Sequence, residues 1–169
     1  MAKQTKFELA ISDSLDGDLK TDALHFIAFA RENKLQITSQ SRYGGDKTGM
    51  KATLRCRGKG ICNIYLSKDS FNVQPRANYS SEFDAHISGL GLENALLNNV
   101  EKCHRCNNNT CLAQTGQSKD LFHGFTKIIF GKEVKNTCKH GNLMFYCPDD
   151  KDFACIREIV LYTKHFYEC

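Results

Sequence analysis

Nine cysteines in 169 residues are the chain's main chemical resource, and four of them stand among polar neighbours. Cys103-His104-Arg105-Cys106 is a C-x2-C turn, Cys111 follows closely, and Cys138 lies beyond a predicted hairpin. Such a turn can place two thiolates on one Zn²⁺ with bonds of about 2.3 Å, and a tetrahedral structural site asks for two more. Cys111 can deliver a third from the same loop, and Cys138 a fourth from the next segment. Four thiolates leave one divalent ion with excess negative charge, which the flanking Lys102, Arg105, Lys135 and Lys139 could offset. Backbone N–H groups of Asn107-Asn108-Asn109 could donate to the sulfurs. His104, His123 and His140 are spare ligands, any of which could replace a cysteine, and each reads otherwise as a surface histidine. An all-sulfur tetrahedron suits zinc or iron, and structural zinc is the expected cofactor.

The other cysteines read differently. Cys56, Cys62, Cys147 and Cys155 fall in apolar patterns, as expected of thiols packed as small hydrophobes. A thioredoxin-type pair needs to open a helix after a buried strand, whereas Cys103-x-x-Cys106 follows a helix and enters an Asn-rich loop. No histidine joins an acid and a nucleophile in a triad-like pattern. Gly89-Leu90-Gly91 lacks the preceding strand and third glycine of a dinucleotide fingerprint, and neither Gly44-Gly45 nor Gly58-Lys59-Gly60 matches a phosphate loop. His25 and His165 lie in predicted helices as packing or surface residues. The residues thus offer no catalytic set, and the expected role is non-catalytic.

A second constellation is electrostatic. Lys51, Arg55, Arg57 and Lys59 form a basic outer stripe on one hairpin, with Tyr43, Tyr65 and Phe71 as possible stacking faces for nucleic acid. The same stripe also reads as a solvated strand face. Lys plus Arg is 23 and Asp plus Glu is 19, so the net charge of +4 does not by itself imply a polyanionic partner.

Several elements must position these groups. Residues 1–17 lack clear periodicity and read as a loosely held arm. Asp18 can cap a helix over residues 19–33, in which Leu19, Ala23, Phe26, Ile27 and Ala30 recur at helical spacing. Leu35 and Ile37 then alternate with polar residues. Met50, Ala52, Leu54 and Cys56 alternate with Lys51, Thr53, Arg55 and Arg57, giving one buried and one basic face. Gly58-Lys59-Gly60 turns the chain into a strand with Cys62, Ile64 and Leu66. Lys68-Asp69 turns it again into Phe71 and Val73, and Pro75 ends that strand. Phe83 and Ile87 suit a short helix, and Leu92, Ala95, Leu96 and Val100 a helical stripe leading into Cys103. Strand-like runs cover 125–130 and 134–138 around Gly131-Lys132, and Leu143–Tyr146 is apolar. Pro148-Asp149-Asp150 opens a last helix carrying Phe153, Ile156, Ile159, Val160 and Thr163. The predicted fold is α+β: a helix, a three- or four-stranded antiparallel meander, a cysteine-rich zinc-binding β module, and a C-terminal helix. The predicted division is an arm over 1–17, an α+β domain over 18–100, and a cysteine module over 101–169 whose final helix packs on the first domain.

Composition narrows the class. An apolar fraction of 41% and a charged fraction of 25% are ordinary for a globular chain of this length. Near the N-terminus the longest uncharged apolar stretch is Leu9-Ala10-Ile11, so no signal-peptide core and no membrane span is expected. That predicts a cytoplasmic setting where thiols stay reduced. An odd cysteine count also argues against a closed disulfide framework. The triplets Asn78-Tyr79-Ser80 and Asn108-Asn109-Thr110 then carry no glycan.

Taken in order, Glu32-Asn33-Lys34, Gly58-Lys59-Gly60-Ile61-Cys62, Cys103-His104-Arg105-Cys106, Gly131-Lys132-Glu133 with Cys138, and Phe145 before Pro148-Asp149 resemble a family of small bacterial proteins built on a domain of unknown function. The resemblance spans about residues 19–165. It implies that Cys103, Cys106, Cys111 and Cys138 form one cluster, and it implies no activity. The stretches 107–110 and 112–124 are longer here than in that pattern.

The expected function is a zinc-holding module that binds a protein or small ligand. The alternatives are a nucleic-acid-binding or regulatory protein using the basic hairpin, and a thiol switch that releases metal on oxidation.

Overall fold

Thr5, Glu8 and Arg31 start the chain's first element. In the computed structural model, which describes residues 5–41, 49–77, 79–102, 124–138 and 143–168, helix α1 runs Lys6–Ser14. The Thr5 side chain accepts from the Glu8 N–H, and the Glu8 carboxylate accepts from the Thr5 N–H at 2.6 Å, a capping box. Phe7 and Ile11 are buried on its inner face. The sequence reading of a loose arm is therefore corrected: Thr5-x-x-Glu8 is a start signal, and two large apolar side chains hold the helix down.

Helix α2 spans Gly17–Glu32 and buries Ala23, Phe26, Ile27 and Ala30. Its N-cap is Asp16 rather than Asp18, which stands in the first turn and favours the positive end of the helix dipole. Lys34, at φ 57°, takes the left-handed conformation that ends it.

Strands β1 (Gln36–Ser41), β2 (Met50–Cys56), β3 (Lys59–Ser67) and β4 (Ser70–Pro75) form the expected antiparallel meander. The β2–β3 turn is Arg57-Gly58, both at positive φ, one residue earlier than the glycine pattern suggests. The register shifts opposite Leu54 and Arg55, so Ile61 and Cys62 are both buried. This bulge lets a strand of strict alternation spend two successive residues on the core.

A fifth strand follows much later in the chain. Helix α3 (Ser81–Gly89), helix α4 (Glu93–Asn98), and a hairpin of β5 (Phe125–Ile129) and β6 (Lys132–Thr137) intervene. Then β7 (Phe145–Tyr146) pairs with β4, giving the sheet order β1-β2-β3-β4-β7. Helix α5 (Asp150–Glu168) closes the fold. The Asp149 carboxylate accepts the Asp152 N–H at 2.9 Å, as the Pro-Asp-Asp start predicts.

The architecture is α+β, and the chain forms two bodies. The first comprises residues 1–78 and 144–169, and the second Tyr79–Leu143. In the first, α1, α2 and α5 cover one face of the five-stranded sheet. Phe153 of α5 lies 5.7 Å from Phe26 and 6.2 Å from Phe71, ring centre to ring centre, and all three are nearly inaccessible. The Thr163 hydroxyl donates to the Arg76 carbonyl at 2.7 Å, satisfying a buried polar group on α5. No helix among the described residues is long and apolar enough to cross a membrane.

Candidate functional site

The second body holds the one described member of the proposed ligand set. Ser80 caps α3 by accepting the Phe83 N–H at 3.2 Å, and Phe83 and Ile87 are buried. Asp84 of the same helix accepts the Phe130 N–H at 2.9 Å, tying α3 to the β5–β6 turn. That turn is Phe130-Gly131, both at positive φ, the two-residue geometry that matches strand twist. Lys132 reaches Glu93 of α4 at 3.7 Å.

Beyond α4 the helical stripe stops short of its predicted end. Val100 instead forms an isolated bridge with Leu143, and Lys102 one with Thr137. The Cys138 N–H donates to the Glu101 carbonyl at 3.1 Å. The stretch entering the C-x2-C turn thus runs antiparallel to the stretch entering Cys138. Thr137 is buried, and its hydroxyl donates to the Phe125 carbonyl at 2.8 Å, locking this end of the hairpin. Cys138 is half-buried. Burial pulls the Lys127 ammonium below its ordinary range, and the negative charge of a Cys138 thiolate opposes that shift. Cys103, Cys106, Cys111, His104, His123 and His140 lie outside the described residues. Among the described residues no three His, Cys, Asp or Glu side chains converge to hold a metal.

The remaining described cysteines divide. Cys56, Cys62 and Cys155 are buried, as small hydrophobes should be. Burial drives the Cys62 thiol far above its usual range. Burial, with Asp152 and Glu158 nearby, pushes Cys155 up to about 12, so neither is a ready nucleophile or ligand. Cys147 departs from the reading: it is exposed, at φ 44° where β7 ends, with its N–H held by the Phe71 carbonyl at 3.0 Å. His25 and His165 are exposed on their helices.

The basic stripe belongs to the first body. Strand β2 alternates buried and half-exposed residues throughout, so Lys51 and Arg55 share the outer sheet face. Arg57 sits in the turn and Lys59 opens β3, both exposed. Arg55 donates to the Gly58 carbonyl at 2.9 Å and to the Thr38 hydroxyl at 3.4 Å. Phe71 is fully buried on the opposite face, which corrects its reading as a stacking surface; Tyr65 is on the outer face. Tyr43 lies outside the described residues. The sequence reading missed the neutral polar residues of this face, Asn63, Asn72 and Gln74, although the alternation of β3 and β4 carries them.

No protein-family model, curated protein or solved structure matches this chain.

Proposed function

We propose that the chain is a non-catalytic binding protein whose second body is organised by one structural zinc ion held by Cys103, Cys106, Cys111 and Cys138. The observation that supports this most is the Lys102–Thr137 bridge, with the Cys138 N–H on the Glu101 carbonyl. Cys103 is the next residue in sequence after Lys102, as Cys138 is after Thr137. The chain stretches that lead into the first and last of the four cysteines already pair, which would remove much of the entropy cost of closing a long loop around a metal. A site filled by four thiolates has no open position and does not activate water, so the ion's role is to hold the fold. Metal affinity is then folding energy for this body. The all-cysteine set and a cytoplasmic setting, where thiols remain reduced, are parts of the same reading.

Elemental analysis of the purified chain beside a Cys106→Ser variant tests it. The expected result is one equivalent of zinc per chain, lost in the variant and in Cys138→Ser. No bound metal, iron in place of zinc, or zinc retained by both variants would overturn it.

A further inference from the structure

The outer face of the five-stranded sheet is built unlike the rest of the first body. Its register sets two transverse rows of side chains side by side. One runs Gln40, Lys51, Tyr65, Asn72 and Tyr146, and the next runs Thr38, Thr53, Asn63 and Gln74. Arg55 stands in a third row, opposite Gly60. A Cβ at Gly60 would approach Thr53 to 3.1 Å, so a side chain there would crowd Thr53.

The face is hydrogen-bonded within itself. The Thr53 hydroxyl donates to Asn63 at 3.0 Å, and the Asn63 amide donates to Gln74 at 3.2 Å. The Tyr65 hydroxyl donates to the same Gln74 oxygen at 2.8 Å. The Lys51 ammonium lies 5.4 Å from the Tyr65 ring centre. Groups fixed this way lose little entropy on meeting a ligand. Tyr146, 61% exposed, ends the first row with an aromatic ring. A depression of about 360 Å³ lies among Thr38, Gln40, Lys51, Thr53 and Arg55.

Charge selects the occupant. None of the five strands contains an Asp or a Glu, whereas Lys51, Arg55 and Lys59 are on them and Arg57 joins two of them. Apart from Asp69 in the β3–β4 turn, the described carboxylates of this body belong to the helix layer. Asp18, Asp22, Asp149 and Asp150 line a separate depression of about 500 Å³ at the starts of α2 and α5. A modest net charge therefore conceals a positive sheet face and a negative helix layer. A cation over an aromatic ring, beside amides and a further exposed ring, matches a strand that offers phosphates on one side and unpaired bases on the other. An open sheet face matches splayed bases better than a duplex groove does.

We infer that this face binds single-stranded nucleic acid, with Lys51 and Arg55 on phosphates and Tyr65 and Tyr146 beside bases. This stands independently of the zinc site, which belongs to the other body.

The test is fluorescence anisotropy of the full chain with labelled twelve-nucleotide oligo(dT), oligo(U) and a duplex, at about 50 mM salt where polyanion binding is strong. One or both single strands should bind at least tenfold tighter than the duplex, and the difference between the two tells DNA from RNA. The logarithm of affinity should fall against that of salt with a slope of about −1.4 to −2.8, from two to four phosphate contacts at about 0.7 each. Lys51→Glu with Arg55→Glu should weaken binding at least tenfold and Tyr146→Leu about fivefold, with far-UV CD unchanged. Lys151→Glu, an exposed charge on α5, should leave binding intact. Because the salt slope is measured on the unaltered chain, the inference remains testable if the double variant does not fold. Absence of binding at low salt, duplex bound as tightly as single strands, equal binding by a folded double variant, or equal competition by polyglutamate would overturn it.

Discussion

On the reading proposed above, the two bodies of this chain use cysteine differently, although Cys147 of the first body is exposed. In the first, Cys56, Cys62 and Cys155 are buried, as are Phe26, Ile64, Phe71 and Phe153, and act as small apolar filler. In the second, the hairpin of β5 and β6 buries only Ile129 and Thr137 along its strands, and Ile128 is 64% exposed. A lone two-stranded ribbon is marginal in water. Cys138, the described cysteine of that body, stands at the end of this thinly buried hairpin, where the proposed metal would serve as a staple. On this reading, residue type alone does not assign a thiol its role. The amount of apolar surface available nearby does, because a body with a full core gains little from a metal and one without it gains its fold.

The comparison can be broken most forcefully at Phe153. Phe153→Ala removes the ring that joins α5 to α2 and β4, and should cost about 3–5 kcal/mol in urea unfolding. Its zinc content under native conditions should be unchanged. A cost below about 1 kcal/mol would mean that the first body is not held by this core.

Glu8 gives a smaller effect with a pH signature. Burial raises its carboxyl, but bonds from the Thr5 N–H, the Arg31 guanidinium and the Thr5 hydroxyl outweigh burial and hold it below the usual carboxylate range. A lowered folded pKa favours the folded state at pH above the unfolded value near 4.5, and that contribution is lost as pH falls below it through the folded value. Glu8→Gln should therefore cost about 1–2 kcal/mol at neutral pH, with the gap to the parent closing in acid. Urea titrations over a pH series would show it, and a gap independent of pH would refute it.

The smallest effect sharpens the contrast from the other side. Ser80→Ala removes the cap of α3 in the second body and should cost about 1 kcal/mol there. Hydrogen exchange should place the loosening in residues 81–89 and leave the α1 and α2 amides unchanged. Loosening spread through both bodies would show that they do not behave as separate units.

Much of the fold was legible because its signals are local and periodic. The alternation from Met50 to Cys56, the Lys68-Asp69 turn and the Pro148-Asp149-Asp150 helix start all depend on neighbours in sequence. The pairing of β7 with β4 was not legible, since residues 145–146 meet residues 72–73 across the whole second body, and two residues carry no period. Helix α1 was missed although Thr5 and Glu8 announce it, because a short helix with two buried side chains leaves a weak stripe. Of the site, the placement of Lys51 and Arg55 on one face followed from strand alternation. The burial of Phe71 was implied by that same alternation but overlooked, because an aromatic residue beside basic ones invites a stacking reading. The juxtaposition of Lys102 with Thr137 joins residues 35 apart in sequence and has no local signal.

In the proposed arrangement, metal holds the second body and apolar packing holds the first. Hydrogen exchange of the full chain before and after zinc chelation separates the two most directly. Amides of residues 125–137 should lose their protection on chelation while those of residues 50–75 keep theirs. Undiminished protection of 125–137 in the metal-free chain would contradict it.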